Sequence, residues 1–334
     1  MPPDLLVVDP LHPDPAVIAE AAARLVRGEL VAFPTETVYG LGARADRAEA
    51  AAKIFAAKGR PAWTPLIVHV TDLPAAQGLV RDVPAAAAML AARFWPGPLT
   101  LVLARDPAGV PDVVCAGGPT VALRSPAHPV ARALLRAAGV PVAAPSANRF
   151  QTVSPVTAAH VLKSLGGRAL TVLDGGRCGH GIESTVLDLT RDEPTVLRHG
   201  ALSVDALRAA LPGLRVEVGV REGDTASPGT AARHYAPGCP VLVVDGDALS
   251  DARASLVSAH GEPVMVLRIG AGPAEAGVRW LPADPAGYGA ALYDALHAVE
   301  DAQATGLVVE APPTSAGWEA VRDRLQRAST PARR

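Results

Sequence analysis

The chain has 334 residues, of which 49% are hydrophobic and 19% charged, and its formal net charge is −2. This length predicts two domains, and the near-neutral charge argues against a general nucleic-acid binder, which would carry a basic excess. No apolar run approaches the roughly 20 residues that span a bilayer, and no signal-peptide pattern opens the chain, so we expect a soluble cytoplasmic protein.

Cysteine and lysine are both rare. Cys115, Cys178 and Cys239 lie far apart with no paired spacing, which predicts buried free thiols in a reducing compartment and no zinc site. Lysine occurs only at 53, 58 and 163, against 28 arginines (31 cations minus 3 lysines). Lys58 therefore hints that a compact ammonium is needed at its position.

Apolar periodicity and helix breakers predict alternating helices and strands through residue 211. Helices are expected at 15–27, from Asp46 to about 57, at 84–94, at 129–138, ending near 164, and at 203–210. Strands are expected at 30–33, 65–70, 99–103, 120–124, 140–143, 170–173, 184–189 and 194–198. Asp14 and Asp46 are predicted helix N-caps, and Gly59 a left-handed C-cap.

The stretch from Phe33 to Gly42 reads as a strand end followed by a polar loop. Pro34 stops the strand, two threonines, a glutamate and a tyrosine follow, and two glycines allow close backbone approach. Polar residues at the carboxyl end of a strand, before a helix, are where open α/β sheets place ligands. The competing interpretation is an inert β-to-α loop.

The apolar period fades from 212 to 238, where Pro and Gly recur, and this segment is predicted to be a linker. Its Arg-His-Tyr run at 233–235 suggests that it folds back over a site. Strands expected at 240–244, 263–269, 277–281 and 305–309 then alternate with helices at 247–258, 286–302 and 317–327. We therefore predict a catalytic domain at 9–211, a linker at 212–238 and a parallel α/β domain at 239–334.

Four strand or helix ends of the first domain carry polar or cationic side chains. They are Thr35 and Thr37, Lys58 and Arg60 with His69, Arg124, and Ser146 with Asn148. Each has an ordinary structural explanation, but loops at one edge of a sheet meet in one crevice. Together with Arg198, such a crevice suits a polyphosphate and a carboxylate. No Walker loop, dinucleotide fingerprint, nucleophile elbow or zinc helix is present, so triad catalysis has no support.

Six motifs in order resemble one known family. They are Pro34–Leu41, Lys58–Pro61, Pro65–His69, Pro145–Asn148, Gly181–Asp188 and Leu197–Gly200, and together they resemble the threonylcarbamoyl-AMP synthase, or YrdC-like, family. The linker and the C-terminal part resemble its two-domain long form. The resemblance implies a YrdC-like twisted mixed open sheet with helices, plus a smaller Rossmann-like parallel α/β domain.

The family forms threonylcarbamoyl-AMP and pyrophosphate from L-threonine, bicarbonate or CO2, and ATP. The resemblance therefore implies a nucleotidyltransferase with Mg²⁺ on the ATP phosphates. It also implies a downstream tRNA threonylcarbamoyl transferase as partner, which modifies the adenosine next to the anticodon. Contact with tRNA would be only indirect, and no membrane is implied.

The resemblance also assigns site residues. The implied L-threonine contacts are Thr35, Thr37, His69, Arg124 and Ser184. The implied ATP contacts are Lys58, Arg60, Thr64, Thr120, Ser146, Asn148, Ser154, Arg198 and Tyr235, with Lys58 and Arg60 supplying catalytic charge. Two departures from the family pattern, Thr64 in place of asparagine and Thr230-Ala231-Ala232 in the linker, put an ATP contact and linker closure in question.

Two other functions are consistent with parts of the sequence. A carbamoyl-adenylate site could serve another acceptor, although such proteins should carry an additional zinc-binding or transferase domain. A double-stranded-RNA-binding module is the alternative outside enzymes, and the net charge of −2 weighs against it.

Overall fold

The computed structural model describes residues 3–211 and 235–329, together with the strand at 217–218. The chain divides into two compact units. The first comprises residues 1–150, 155–179 and 183–230, and the second comprises 151–154, 180–182 and 231–334. The second unit thus includes two short segments taken from within the sequence of the first. Most of the predicted linker, including Thr230-Ala231-Ala232, lies outside the described residues.

The first unit is built on an eleven-stranded mixed sheet. Its strands are β1 (Asp4–Val7), β2 (Val31–Phe33), β3 (Gly40–Arg44), β4 (Ile67–His69), β5 (Leu99–Ala104), β6 (Thr120–Arg124), β7 (Val142–Ala143), β8 (Thr171–Asp174), β9 (Thr185–Asp188), β10 (Thr195–Arg198) and β11 (Glu217–Val218). Their spatial order is β1-β8-β2-β3-β7-β4-β6-β5-β9-β10-β11. Parallel and antiparallel pairs alternate irregularly across the sheet, which confirms the expected mixed open architecture.

The helices of this unit pack through their apolar faces, some against the strands of the sheet and others against one another. They are α1 (Pro15–Val26), α2 (Ala48–Lys58), α3 (Ala85–Phe94), α4 (Asp112–Cys115), α5 (Pro129–Ala138), α6 (Ala158–Leu165) and α7 (Val204–Ala210). Leu25 of α1 and Leu134 of α5 are buried in one cluster with Val31 and Phe33 of β2. This cluster fixes β2, and with it the start of the polar stretch that follows.

The predicted helix caps are confirmed at two positions and wrong at one. The Asp14 carboxylate accepts hydrogen bonds from the Ala16 and Val17 amides at the start of α1. Gly59 ends α2 with a left-handed φ of 62°. Asp46 does not cap α2: Arg47 is the N-cap, without a side-chain bond, and the Asp46 carboxylate instead accepts from the Arg44 guanidinium. The Arg44 guanidinium donates to both Asp46 oxygens, at 2.9 Å to Oδ1 and 2.5 Å to Oδ2, and this forked pairing holds the carboxylate away from the helix start.

The polar stretch after β2 is a hairpin connection, so the predicted β-to-α loop was wrong. Residues 34–39 lead directly into β3, which runs antiparallel to β2 with Phe33 opposite Gly40. Because two of its five residues are glycines, this strand could not be predicted from its residue pattern. Gly42 is required by packing, because a Cβ there would lie 2.8 Å from the Phe33 ring and 3.1 Å from Val142. Strand β1 was also not anticipated from the sequence.

The second unit contains a four-stranded parallel sheet and three α-helices within the described residues. The strands β12 (Val241–Val244), β13 (Val264–Ile269), β14 (Val278–Leu281) and β15 (Gly306–Glu310) lie in the order β12-β15-β13-β14. The helices are α8 (Leu249–His260), α9 (Pro285–Asp301) and α10 (Glu319–Ala328). This confirms the expected Rossmann-like parallel arrangement. No helix in the described parts of the chain is long and apolar enough to cross a membrane.

Candidate active site

The hydroxyl of Thr35 closes the connection between β2 and β3. It donates to the Val38 carbonyl oxygen at 2.6 Å and accepts from the Thr37 and Val38 amides. Since its one proton goes to Val38, the 2.8 Å bond between the two threonine hydroxyls must be donated by Thr37. Thr35 is therefore occupied in shaping the turn, whereas the Thr37 oxygen keeps its acceptor capacity for a ligand.

Arg124, at the carboxyl end of β6, pairs with Glu36. An Arg124 Nη2 atom donates to Glu36 Oε1 at 2.7 Å, and Glu36 Oε2 accepts from the Ala127 amide at 2.9 Å. The side chains are only 5% and 12% exposed, respectively. Burial favours the neutral acid, but the charge and hydrogen bond of Arg124, helped by backbone amides, outweigh it and lower the pKa of Glu36. Glu36 was not among the predicted site residues.

His69, at the end of β4, lies directly beside Arg124 in the sheet register. Burial and the neighbouring guanidinium lower the pKa of His69 to about 3, so the imidazole is neutral near pH 7. Two buried polar atoms here, His69 Nδ1 and Arg124 Nε, have no hydrogen-bond partner among the described residues. Buried polar atoms are rarely left without partners, and two on adjacent strands indicate a place where a polar ligand completes the bonding.

Ser184, Thr100 and Arg198 form a second buried group. The Ser184 and Thr100 hydroxyls are 2.8 Å apart, and Arg198 Nη2 lies 3.1 Å from Ser184 Oγ and 2.9 Å from its carbonyl oxygen. Thr100 sits opposite Arg124 in the pairing of β5 with β6. Ser184, a predicted threonine contact, is thereby hydrogen-bonded to Arg198, a predicted ATP contact. Thr100 was missed because only the strand order brings it beside Arg124.

Lys58 fastens the loop after β7. Its ammonium donates to the carbonyl oxygens of Ser146 and Asn148, and Asn148 Oδ1 lies 3.5 Å away. Burial and the charge of Arg60 hold the pKa of Lys58 well below its ordinary value. The structure thus brings together the predicted residues Lys58, Ser146 and Asn148, and the Lys58 ammonium donates its hydrogen bonds to the loop that carries the other two.

Arg60 and Thr64 shape the turn after α2. Arg60 Nη2 donates to the Pro65 carbonyl oxygen at 2.9 Å, and its guanidinium lies 5.8 Å from the centre of the Phe150 ring. Thr64 donates its hydroxyl proton to the Pro61 carbonyl oxygen at 2.6 Å. In this arrangement Thr64 can only accept a hydrogen bond from a ligand, whereas an asparagine side chain could also donate one.

Thr120 stands apart from Arg124. It starts β6 and Arg124 ends it, and four residues of extended chain separate them by roughly 13 Å. The structure therefore does not bring Thr120 together with the Arg124–His69 pair. Its role as an ATP contact stays a prediction.

Ser154 and Tyr235 belong to the second unit. Tyr235 is buried with a positive φ of 62°, and its ring stacks on Tyr293 at 5.7 Å between centroids. The Arg324 guanidinium lies 5.1 Å from the Tyr235 ring centre. Ser154 is fully buried, and its carbonyl oxygen lies 3.1 Å from His297 Nε2. Both residues are thus held by contacts within the second unit.

No metal-binding cluster of three or more His, Cys, Asp or Glu side chains occurs within residues 3–211 and 235–329. The three cysteines are free and buried, which confirms the prediction of buried free thiols. Burial raises the pKa of the Cys115 thiol to about 11 and that of the Cys178 thiol further, so neither is ionised at neutral pH.

The fold and the buried cluster define an α/β ligand-binding protein of two units, with a cationic site built on a mixed sheet. A family model described as telomere recombination (Sua5, YciO and YrdC) matches residues 23–200, and one described as threonylcarbamoyl-AMP synthase, C-terminal domain, matches residues 202–330. The chain belongs to the threonylcarbamoyl-AMP synthase family, in its two-domain form.

Two curated relatives and one solved structure illustrate the similarity. The chain is 45% identical to threonylcarbamoyl-AMP synthase of Bacillus subtilis, over 72% of this chain and 70% of the relative. It is 46% identical to that of Pyrococcus abyssi, over 68% of this chain and 67% of the relative. The crystal structure of P. abyssi Sua5 with L-threonine matches with a TM-score of 0.89 and 36% identity, over 97% of both chains.

Proposed function

We propose that this protein is an L-threonylcarbamoyladenylate synthase, which converts L-threonine, bicarbonate or CO2, and ATP into threonylcarbamoyl-AMP and pyrophosphate. The observation that carries the proposal is the Arg124–His69 pair, where two buried polar atoms on adjacent strands lack partners. The support from similarity is a solved family member with L-threonine bound and relatives named for this activity.

The pair suits an amino acid. A guanidinium recognises a carboxylate by hydrogen bonds that are stronger than those between neutral groups. Arg124 offers its Nε for this purpose while Glu36 holds its Nη2. The neutral imidazole of His69 adds a polar contact without adding charge. Thr37 and Ser184, both fully buried, supply hydroxyls for the side chain or amine of threonine.

The reaction places unusual demands on charge. The threonine amine adds to CO2 and releases a proton, which gives a carbamate. A carbamate oxygen then attacks the α-phosphorus of ATP, and the bond to pyrophosphate breaks. Because the nucleophile and the phosphates are both anionic, alignment and positive charge matter more than acid–base groups. The buried cations Lys58, Arg60 and Arg198 supply that charge.

We propose that Mg²⁺ accompanies ATP and is held mainly by its phosphates and water. The residues fit this arrangement, because the carboxylate of Glu36 is already bonded to Arg124 and to the Ala127 amide. When bound, the ion would neutralise phosphate charge. The downstream partner is proposed to be a tRNA threonylcarbamoyl transferase, with tRNA involved only indirectly. The cytoplasm is the proposed location, in keeping with three free thiols.

The first test is pyrophosphate release from ATP with each substrate omitted in turn. Release that requires both threonine and bicarbonate supports the proposal, and mass spectrometry should find threonylcarbamoyl-AMP. Serine, which lacks the methyl group, serves as the matched control substrate and should be used less well. Release that is indifferent to threonine would refute the proposed function. Tight binding of duplex RNA without ATP turnover would favour the RNA-binding alternative.

A further inference from the structure

Helix α9 of the second unit carries three buried residues on one face: Gly289, Tyr293 and His297. They are spaced by four, and residues four apart stand above one another on a helix of 3.6 residues per turn. Tyr293 and His297 are at most 3% exposed. We call these three positions the α9 stripe. Each contacts a different short segment of the same unit.

The first contact of the stripe is backbone against backbone. Gly181 has a left-handed φ of 68°, and a Cβ there would lie 2.6 Å from Ala290 Cα and 2.6 Å from the Gly289 carbonyl oxygen. On the other side, a Cβ on Gly289 would lie 3.4 Å from Ile182 Cδ1. Segment 180–182 therefore sits on α9 with no room for a side chain at position 181.

The second contact is aromatic. The rings of Tyr293 and Tyr235 stack with centroids 5.7 Å apart and planes inclined by 26°. Offset stacking of this kind fixes the orientation of one ring relative to the other. Arg324 of α10 lies over the same Tyr235 ring at 5.1 Å. Tyr235 is thus held between two helices of the C-terminal unit.

The third contact is a hydrogen bond from a side chain to the backbone. His297 Nε2 lies 3.1 Å from the Ser154 carbonyl oxygen. Because a carbonyl oxygen only accepts, Nε2 must carry the hydrogen in this bond. The bond holds the end of segment 151–154 on α9.

The three parts of the chain that contact the α9 stripe are residues 180–182, Tyr235 and residues 151–154. Each of them carries or adjoins a residue assigned to substrate binding. Tyr235 and Ser154 are themselves predicted ATP contacts. Segment 180–182 runs directly into Glu183 and Ser184, and Ser184 is a predicted threonine contact. We propose that the α9 stripe is a positioning element of the adenylation reaction, with Tyr293 and His297 as positioning residues that act mainly on ATP. This inference rests on the proposed function.

The test compares two pairs of variants in the full-length protein. His297→Leu removes the donor to Ser154, whereas His297→Gln keeps an N–H donor. Tyr293→Leu removes the stacked ring, whereas Tyr293→Phe keeps it. A lost hydrogen bond of ordinary strength corresponds to a fall of about 2- to 12-fold in kcat/KM for ATP. We expect such a fall for both leucine variants, a smaller change for threonine, and recovery in the conservative variants.

Val299→Ala is the matched control, because Val299 is fully buried on α9 but lies about 120° around the helix from Tyr293. It should lower the thermal midpoint without changing KM for ATP. Hydrogen exchange read by mass spectrometry should quicken at 151–154 in His297→Leu but not in Val299→Ala. Equal ATP defects in Val299→Ala and His297→Leu, or no recovery in His297→Gln, would overturn the inference. If the wild-type protein releases no threonine-dependent pyrophosphate, the proposed function fails, while the exchange measurement still decides whether the stripe holds the segment.

Discussion

Acid should destabilise the first unit through His69, and the size of the effect follows from its burial. The pKa of His69 is lowered to about 3 in the folded protein, from an ordinary value near 6.5. At any pH between these two values, His69 is therefore protonated in the unfolded chain and neutral in the folded protein. Stability is fully present above about pH 6.5 and is lost progressively as the pH falls toward 3. Between pH 6.5 and 5.0 the loss from this one residue is on the order of 1–2 kcal/mol.

The assay is urea unfolding at pH 6.5 and 5.0 for the wild-type protein and His69→Gln. The variant starts less stable, but the change of its unfolding free energy with pH should be smaller by about 1–2 kcal/mol. His12→Gln, which makes the same chemical change at an exposed side chain, should retain the wild-type dependence. NMR of the ring nitrogens should also show His69 neutral at pH 5.0. An unchanged pH dependence in His69→Gln, or a protonated ring at that pH, would refute the reasoning.

Four further substitutions test separate contacts within the first unit. Arg124→Ala should raise KM for threonine at least tenfold, which is a loss of about 1.4 kcal/mol or more in binding free energy. Lys58→Ala should chiefly impair ATP use. Equal effects of either variant on both substrates in steady-state kinetics would contradict this division of roles. Glu36→Gln leaves the Arg124 charge without its partner and should lower stability by up to about 3–5 kcal/mol while weakening threonine binding more than ATP binding, as calorimetry can measure. Gly42→Ala should cost about 1–3 kcal/mol in urea unfolding, because its Cβ would meet the Phe33 ring, and a wild-type midpoint would show that the hairpin yields.

Elements bounded by strong breakers could be predicted closely from the sequence. Strand β6 at 120–124 and helix α5 at 129–138 have the expected bounds. In both cases an apolar run is flanked by glycine or proline, so that local chemistry alone ends the element. The parallel C-terminal sheet was predictable for the same reason, since its strands are continuous apolar runs.

Elements whose stability comes from tertiary contacts could not be predicted in this way. Strand β3 contains Gly40 and Gly42, which have poor strand propensity, and it forms because it pairs with β2 on one side and β7 on the other. Phe33 and Val142 leave no room for a side chain at Gly42. Asp46 carries a capping signature, yet its carboxylate is taken by Arg44. Both outcomes depend on neighbours that the local pattern does not contain.

The candidate site shows the same division. Arg124 and His69 were identified from their positions at strand ends, and the structure places them side by side. Glu36 and Thr100 were missed, because their importance arises from tertiary contacts, of Glu36 with Arg124 and of Thr100 with Ser184. Glu36 lies three residues after the end of a strand, and Arg124 was already proposed to bind an anion. These two facts together could have indicated that Glu36 belongs to the site. No comparable signal existed for Thr100, which looks like any other strand threonine.

Lys58 shows why a predicted contact and an observed one need not be the same. Its ammonium already donates to Ser146 and Asn148, so a phosphate must either displace these carbonyl oxygens or be bound by the loop that Lys58 holds. Lys58 thus keeps residues 146–148 in place, and Arg60 and Arg198 remain the other cations proposed to contact the phosphates. The arginine-rich composition and the buried Lys58 then have separate explanations, since a guanidinium is suited to forked binding of an anion and a compact ammonium fits among carbonyl oxygens.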